Sequence, residues 1–288
     1  MLQLVLLGVI VGLALAHLYR KSPRGMEHFR NPIPATPNDY PLADAGPDAL
    51  HPPPMAGEQA EDDPRDLPWI ASWSPLDREA RRGQNCLVMN TEEGPDGTVI
   101  QTVSKSCEDG MAHTRAGDRI VIPDSIPEPL RHETVNHELI HIYQRRHPNA
   151  WIDFYRRNWS FIFHEGPPTE MPRAVVEARR GNPDTWDPDT GGPWPCWQGR
   201  WWPVQIYKSV RDPRLRDATT VWYDGWRHEV RDFPPEVWTQ FFGTPSQQEH
   251  PHELAAVMIV GEDTVSEAGR RLWAWWRTAR YTMLPRDR

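Results

Sequence analysis

A chain of 288 residues with a net charge of −8 is long enough for one sizeable domain with appendages. Nothing in that charge suggests the basic surface that nucleic-acid binding requires, so no nucleic-acid partner is expected. Fifteen tryptophans, most of them after residue 150, imply a core and clefts built from large rings.

Met1 to Leu18 is almost wholly apolar and is followed by Tyr19-Arg20-Lys21. Eighteen helical residues span about 27 Å, close to the thickness of a membrane core. Because the basic residues lie on the C-terminal side, residues 1–19 are expected to be a transmembrane anchor that keeps the following domain on the cytoplasmic side. Ala14-Leu15-Ala16 offers the alternative of a cleaved secretory signal. Residues 20–68 are rich in proline, including Pro52-Pro53-Pro54, and have no helix or strand period; they read as a disordered stalk. Residues 69–288 are expected to form the folded domain.

Three β-prone runs open that domain at 87–90, 98–103 and 118–123, with Gly94-Pro95-Asp96-Gly97 predicting a hairpin between the first two. Cys86, Cys107 and Cys196 form no CxxC or zinc-ribbon spacing. Free thiols in a reducing compartment are the default reading, and a Cys86–Cys107 bridge is the alternative. A helix is expected from near Glu128 to just before Pro148, a second from 149 or 150 to 163, and a short third over 172–180. Residues 181–250, rich in Trp, Pro and Asp, show little period beyond strand-like pieces at 202–207 and 219–223. Helices return at 251–260 and 264–283, the last with an apolar stripe of Val265, Ala268, Leu272, Trp275, Trp276 and Ala279.

The helix over 128–147 carries His137-Glu138-Leu139-Ile140-His141. On a helix, positions i and i+4 share a face with Cβ atoms about 6 Å apart, so two imidazoles can close on one Zn²⁺. Glu138 beside them can act as general base toward a water on the open side of the metal. A catalytic zinc needs a third protein ligand. His147 has the spacing of the metzincin third histidine, but Gln144 occupies the place of the glycine that turns the chain there. Glu165, twenty-four residues after His141, is followed at once by Gly166-Pro167-Pro168. Glu253 lies in the first turn of a helix that Pro251 starts, with the small Ala256 one turn on, and it is the preferred third ligand.

The segment from about Asp118 to Arg146, together with Glu249 to Val260, resembles a zincin metallopeptidase of the gluzincin type. More narrowly it is similar to metallopeptidases of large DNA viruses, which pair a HELIH-type helix with a later HPxE-type helix. That resemblance implies an α+β, thermolysin-like catalytic domain: a small N-terminal sheet, the active-site helix, and here a Trp-rich, mainly helical lower lobe. It implies Zn²⁺ held by His137, His141 and Glu253, with Glu138 activating water against a peptide or protein substrate. It also implies an oxyanion donor from the lower lobe, for which Tyr223, His228 and Tyr207 are candidates. The Arg119–Ile122 strand is expected to accept an extended substrate as an added strand, and Glu249 is a candidate partner for a ligand histidine. The expected function is therefore a membrane-anchored zinc peptidase. The alternatives are a catalytically silent structural component of a membrane or virus particle, and a secreted zinc protease.

Overall fold

The computed structural model describes residues 56–60, 63–185 and 194–283. The chain first builds a four-stranded sheet from β1 (Val88–Glu93), β2 (Val99–Val103), β3 (His113–Arg115) and β4 (Arg119–Pro123), in the order β1-β2-β4-β3. The expected hairpin joins β1 to β2, with Asp96 and Gly97 both at positive φ in its turn. β2 and β4 run parallel, and β3 pairs antiparallel on the outer side of β4. β4 is thus paired on both sides over Arg119–Val121, which rules out strand addition there; β3 is the edge on that side.

One face of this sheet is covered by α3 (Glu128–Arg146), where Ile142 packs with Ile100, Ile120 and Ile122. The other face encloses Ala60, Val88, Val103, Val121 and a disulfide between Cys86 and Cys107. The thiols expected at 86 and 107 are therefore bridged, because the start of β1 and the turn after β2 lie side by side once the hairpin closes. Cys196 is the free cysteine, and it is buried.

Upstream of β1, the short helices α1 (Leu67–Ser72) and α2 (Pro75–Ala80) are held to the sheet by buried ion pairs. Arg119 donates to Asp66 at 2.6 Å, and Arg81 grips Glu108 through two hydrogen bonds of 2.7 and 2.8 Å. The fold therefore begins upstream of Trp69, with Ala60, Asp63 and Asp66 all buried. Composition hides this, because the stretch contributes paired charges rather than apolar side chains.

These pairs make the fold acid-sensitive. Burial alone would raise the Glu108 carboxyl, but Arg81, His113 and Arg115 outweigh it and hold it at about 2, against an ordinary 4.5. Burial, reinforced by Arg115, holds His113 at about 4 against 6.5. Both folded-state values are depressed. His113 stays neutral in the fold while the unfolded chain takes up a proton, so stability is lost as pH falls from 6.5 towards 4. Glu108 contributes stability above 4.5 that is lost as pH falls towards 2, roughly 3 kcal/mol in all. Urea midpoints measured across this range should fall continuously. The Glu108→Gln variant, already destabilised by leaving two arginines less well paired, should show a flatter dependence below pH 4.5. A variant curve parallel to the native one would remove Glu108 as the cause.

After α3, α4 (Pro148–Trp159) ends at Ser160 in the left-handed conformation, and residues 161–163, expected to be helical, are instead strand. They begin a second sheet, a five-stranded antiparallel meander of β5 (Phe161–His164), β6 (Trp194–Trp197), β7 (Trp201–Ile206), β8 (Thr219–Asp224) and β9 (Glu229–Arg231), in sequential order. This overturns the expected mainly helical lower lobe. Aromatic and β-branched side chains favour a pleated, half-buried surface, and here they form strands even where Pro195 and Pro203 interrupt the pattern. Between β5 and β6 lies α5 (Arg173–Glu177). The chain ends with α6 (Glu236–Phe242), α7 (Pro251–Val260) and α8 (Glu267–Met283). The largest core joins α4 to α6, α7, α8 and the second sheet through Trp151, Phe154, Trp159, Trp197, Trp238 and Trp276.

The apolar run at residues 1–18 lies outside the described residues. Among the described residues no helix is long and apolar enough to cross a membrane, so the N-terminal transmembrane helix is not part of the fold as described.

Candidate metal centre

Nineteen residues of α3 present His137 and His141 one turn apart, with their rings edge to face at 4.8 Å between centroids. α7 packs across this face. Ala255 and Ala256 are fully buried in it, and Glu253 in its first turn reaches both imidazoles. The Nε2 atoms of His137 and His141 lie 3.0 Å apart, and Glu253 Oε2 lies 3.3 Å from the first and 3.4 Å from the second.

Ligand bonds of about 2.0–2.2 Å put the atoms of a tetrahedral site about 3.3–3.6 Å apart; the two edges to Glu253 match that spacing, and the 3.0 Å edge between the imidazoles is slightly shorter. All three donors are of types that zinc takes, so the residues fit the metal. The electrostatics point the same way. Burial opposes a charge on His141, yet Glu253 overrides it and pushes the imidazole up to about 10, while Glu253 is held well below the usual carboxylate range. The cluster attracts a cation, and a proton fills that role when no metal is bound. His141 and Glu253 are buried whereas the His137 side chain keeps 19% of its surface exposed, so access is from the His137 side.

Two amides orient these side chains. Gln144 Nε2 donates to the His252 carbonyl at 3.0 Å and to the Tyr155 hydroxyl at 3.2 Å. A carbonyl can only accept, so this fixes which end of the amide is nitrogen and leaves Gln144 Oε1 to accept from His141 Nδ1 at 2.8 Å. Nε2 of His141 is thereby the atom free for a metal. Asn182 Nδ2 donates to Glu253 Oε1 at 2.8 Å, leaving Oε2 to face the histidines. Glu249, the sequence candidate for a supporting acid, accepts instead from Gln205 at 3.0 Å. The Gln144→Leu variant is expected to bind zinc 10- to 100-fold more weakly. Competition against a chromophoric chelator measures this, and an unchanged affinity would remove Gln144 from the support of the site.

Glu138 is buried beside the triangle, and its Oε2 has no hydrogen-bond partner among the described residues. Burial, then the Asp184 carboxylate, holds its carboxyl well above the usual range, against the pull of His141. Oxygen atoms of Glu138 and Asp184 and a ring nitrogen of His141 all lie within 4.8 Å of one another. Asp184 is itself fixed by Thr114 on β3, accepting from its N–H at 2.6 Å and its hydroxyl at 2.8 Å. The turn holding Asn182 and Asp184 thus lies along the free edge of β3 and against the site. The Asx-Pro pattern of Gly181-Asn182-Pro183-Asp184 signals a turn but says nothing of where that turn packs.

The remaining candidates lie elsewhere. Tyr223 is fully buried in the second sheet with Val175, Trp202 and Val204, and its hydroxyl pairs with His228 Nδ1 at 2.9 Å. Among the described residues, no hydrogen bond or ion pair joins either to the triangle. The Tyr207 hydroxyl donates to Asp77 at 2.7 Å. His147 terminates α3, its N–H bonded to the Tyr143 carbonyl, and Glu165 is exposed after β5. Neither joins a metal-holding cluster among the described residues.

No family model matches the chain, and no curated protein or solved structure does.

Proposed function

We propose that this protein is a zinc-dependent metallopeptidase of the HExxH type, in which His137, His141 and Glu253 hold the metal and Glu138 is the general base. The observation that carries this reading is the triangle of ligand atoms, with edges of 3.0, 3.3 and 3.4 Å, drawn from two helices more than a hundred residues apart in sequence. Bound there, zinc supplies Lewis acidity that polarises a scissile carbonyl and stabilises negative charge on oxygen. Glu138 takes the proton of the attacking water at its unpartnered Oε2 and delivers it to the leaving amine. Burial favours the protonated form of Glu138, which suits the second half of that task. Gln144 and Asn182 keep the ligand atoms aimed, and the exposed flank of His137 is the way in for a peptide.

The Cys86–Cys107 bridge supports maturation in an oxidising compartment. It therefore favours a secreted protease over a domain retained on the cytoplasmic side. Removing metal with a chelator and restoring it tests the whole reading. The expected result is one zinc per chain, cleavage of members of a quenched peptide library, and loss and recovery of cleavage with the metal. One zinc per chain with no peptide cleaved would overturn the peptidase and leave a structural zinc protein.

A further inference from the structure

Beside the metal centre, between the first helices and the second sheet, lies a cleft of about 160 Å³. Trp69, Trp73 and Trp194 form much of its wall, together with Arg179, Asn182 and Thr185. A second, smaller cavity of about 30 Å³ shares Arg179, Asn182, Thr185 and Trp194, so the two adjoin. Asn182 is also the residue that donates to Glu253 Oε1 at 2.8 Å. The cleft is therefore one side chain away from a metal ligand.

Its chemistry is that of a site waiting for an anion. The Arg179 guanidinium lies 4.3 Å from the centre of the Trp194 ring and forms no ion pair with a described carboxylate. Its backbone is bridged to Ile206, which holds it in place. The acid nearest in the wall, Asp77, is already committed: it accepts from Ser74, Gly181, Arg81 and Tyr207. Burial accordingly depresses the Arg179 pKa, with only Asp77 opposing. A guanidinium partly removed from water without a counter-charge is costly, and its planar fork matches a carboxylate. Trp73 adds a buried Nε1–H that no described residue accepts.

We infer that this cleft is a substrate subsite in which Arg179 binds a carboxylate borne by a peptide residue close to the scissile bond, while the tryptophans pack that residue's apolar part. The carboxylate is either an acidic side chain or the free C-terminus; both present the same two oxygens to the fork. The inference rests on the peptidase reading for its substrate, but its test does not depend on turnover.

The test uses the full chain loaded with zinc and carrying Glu138→Gln to prevent hydrolysis, with binding read from tryptophan fluorescence. The probes are acetyl-Ala-Phe with a free carboxylate, acetyl-Ala-Phe-amide and acetyl-Glu-Phe-amide. At least one acid-bearing probe is expected to bind about 10- to 100-fold more tightly than the neutral amide. Preference for the first places the C-terminus at Arg179, and preference for the third places an acidic side chain there. Adding Arg179→Gln should erase that preference and leave the weak binding of the neutral amide unchanged. Equal affinity for all three probes, or a preference that survives Arg179→Gln, overturns the subsite. The first of these comparisons needs no change at Arg179 and so stands whether or not that variant folds. If the peptidase reading alone fails, the acid preference persists in a protein that, with Glu138 restored, cleaves nothing. If the subsite alone fails, cleavage persists without the preference.

Discussion

Glu138→Gln is expected to lower peptide turnover by about a thousandfold or more while zinc stays bound at one per chain. A positioned general base contributes roughly 10²–10⁴ in rate, and the amide keeps the shape of the side chain while losing its basicity. Glu138 lies outside the His137–His141–Glu253 triangle, in a neighbouring group with His141 and Asp184; with the triangle as the site, metal affinity should be preserved. The carboxyl is buried with Oε2 unpartnered, and replacement by the neutral amide costs the fold little. Turnover of a quenched peptide beside elemental analysis of the same sample checks both halves. Activity retained within tenfold would mean that the base lies elsewhere. Zinc lost together with activity would mean that Glu138 is a ligand.

Glu253→Gln is expected to weaken zinc binding by more than about a hundredfold. Roughly 10–16 kcal/mol of zinc affinity shared by about four ligands assigns some 3 kcal/mol to each. Glu249→Gln is the matching control, since Glu249 is buried on the same chain segment but bonds to Gln205, and its affinity should be unchanged. The proton balance gives a second readout. With His141 pushed up to about 10 by Glu253, the metal-free site is protonated at neutral pH, so zinc binding at pH 7 releases about one proton and apparent affinity falls as pH is lowered. Without the Glu253 charge the raised value is lost and proton release shrinks. Calorimetry in buffers of different ionisation enthalpy measures this. Equal affinities for Glu253→Gln and the native protein would dismantle the centre.

The two histidines and the acid between them were legible from sequence alone because they belong to one helix. Its period is local, and the i, i+4 geometry follows without knowledge of anything else in the chain. Gln144 was legible in the same sense: three residues after His141, it could only lie over the same turn, although taken alone it signals only that the glycine of a metzincin turn is absent. Glu253 was nameable through the Pro251 helix start and the small Ala256. Its meeting with the histidines was decided by how α7 crosses α3, a matter of packing between residues 112 positions apart. Asn182 and Asp184 were beyond sequence reading altogether, since a turn signal carries no information about which strand edge the turn will cover. The second sheet was legible only in part. The strand-like pieces at 202–207 and 219–223 are β7 and β8, but β5, β6 and β9 and the pairing of all five were not, because pairing between strands is non-local and a proline inside β6 breaks the pattern that would have marked it. Composition determined that the core would be aromatic; only the tertiary structure decided that those rings would line a five-stranded sheet and leave an arginine facing a cleft beside the two histidines and Glu253.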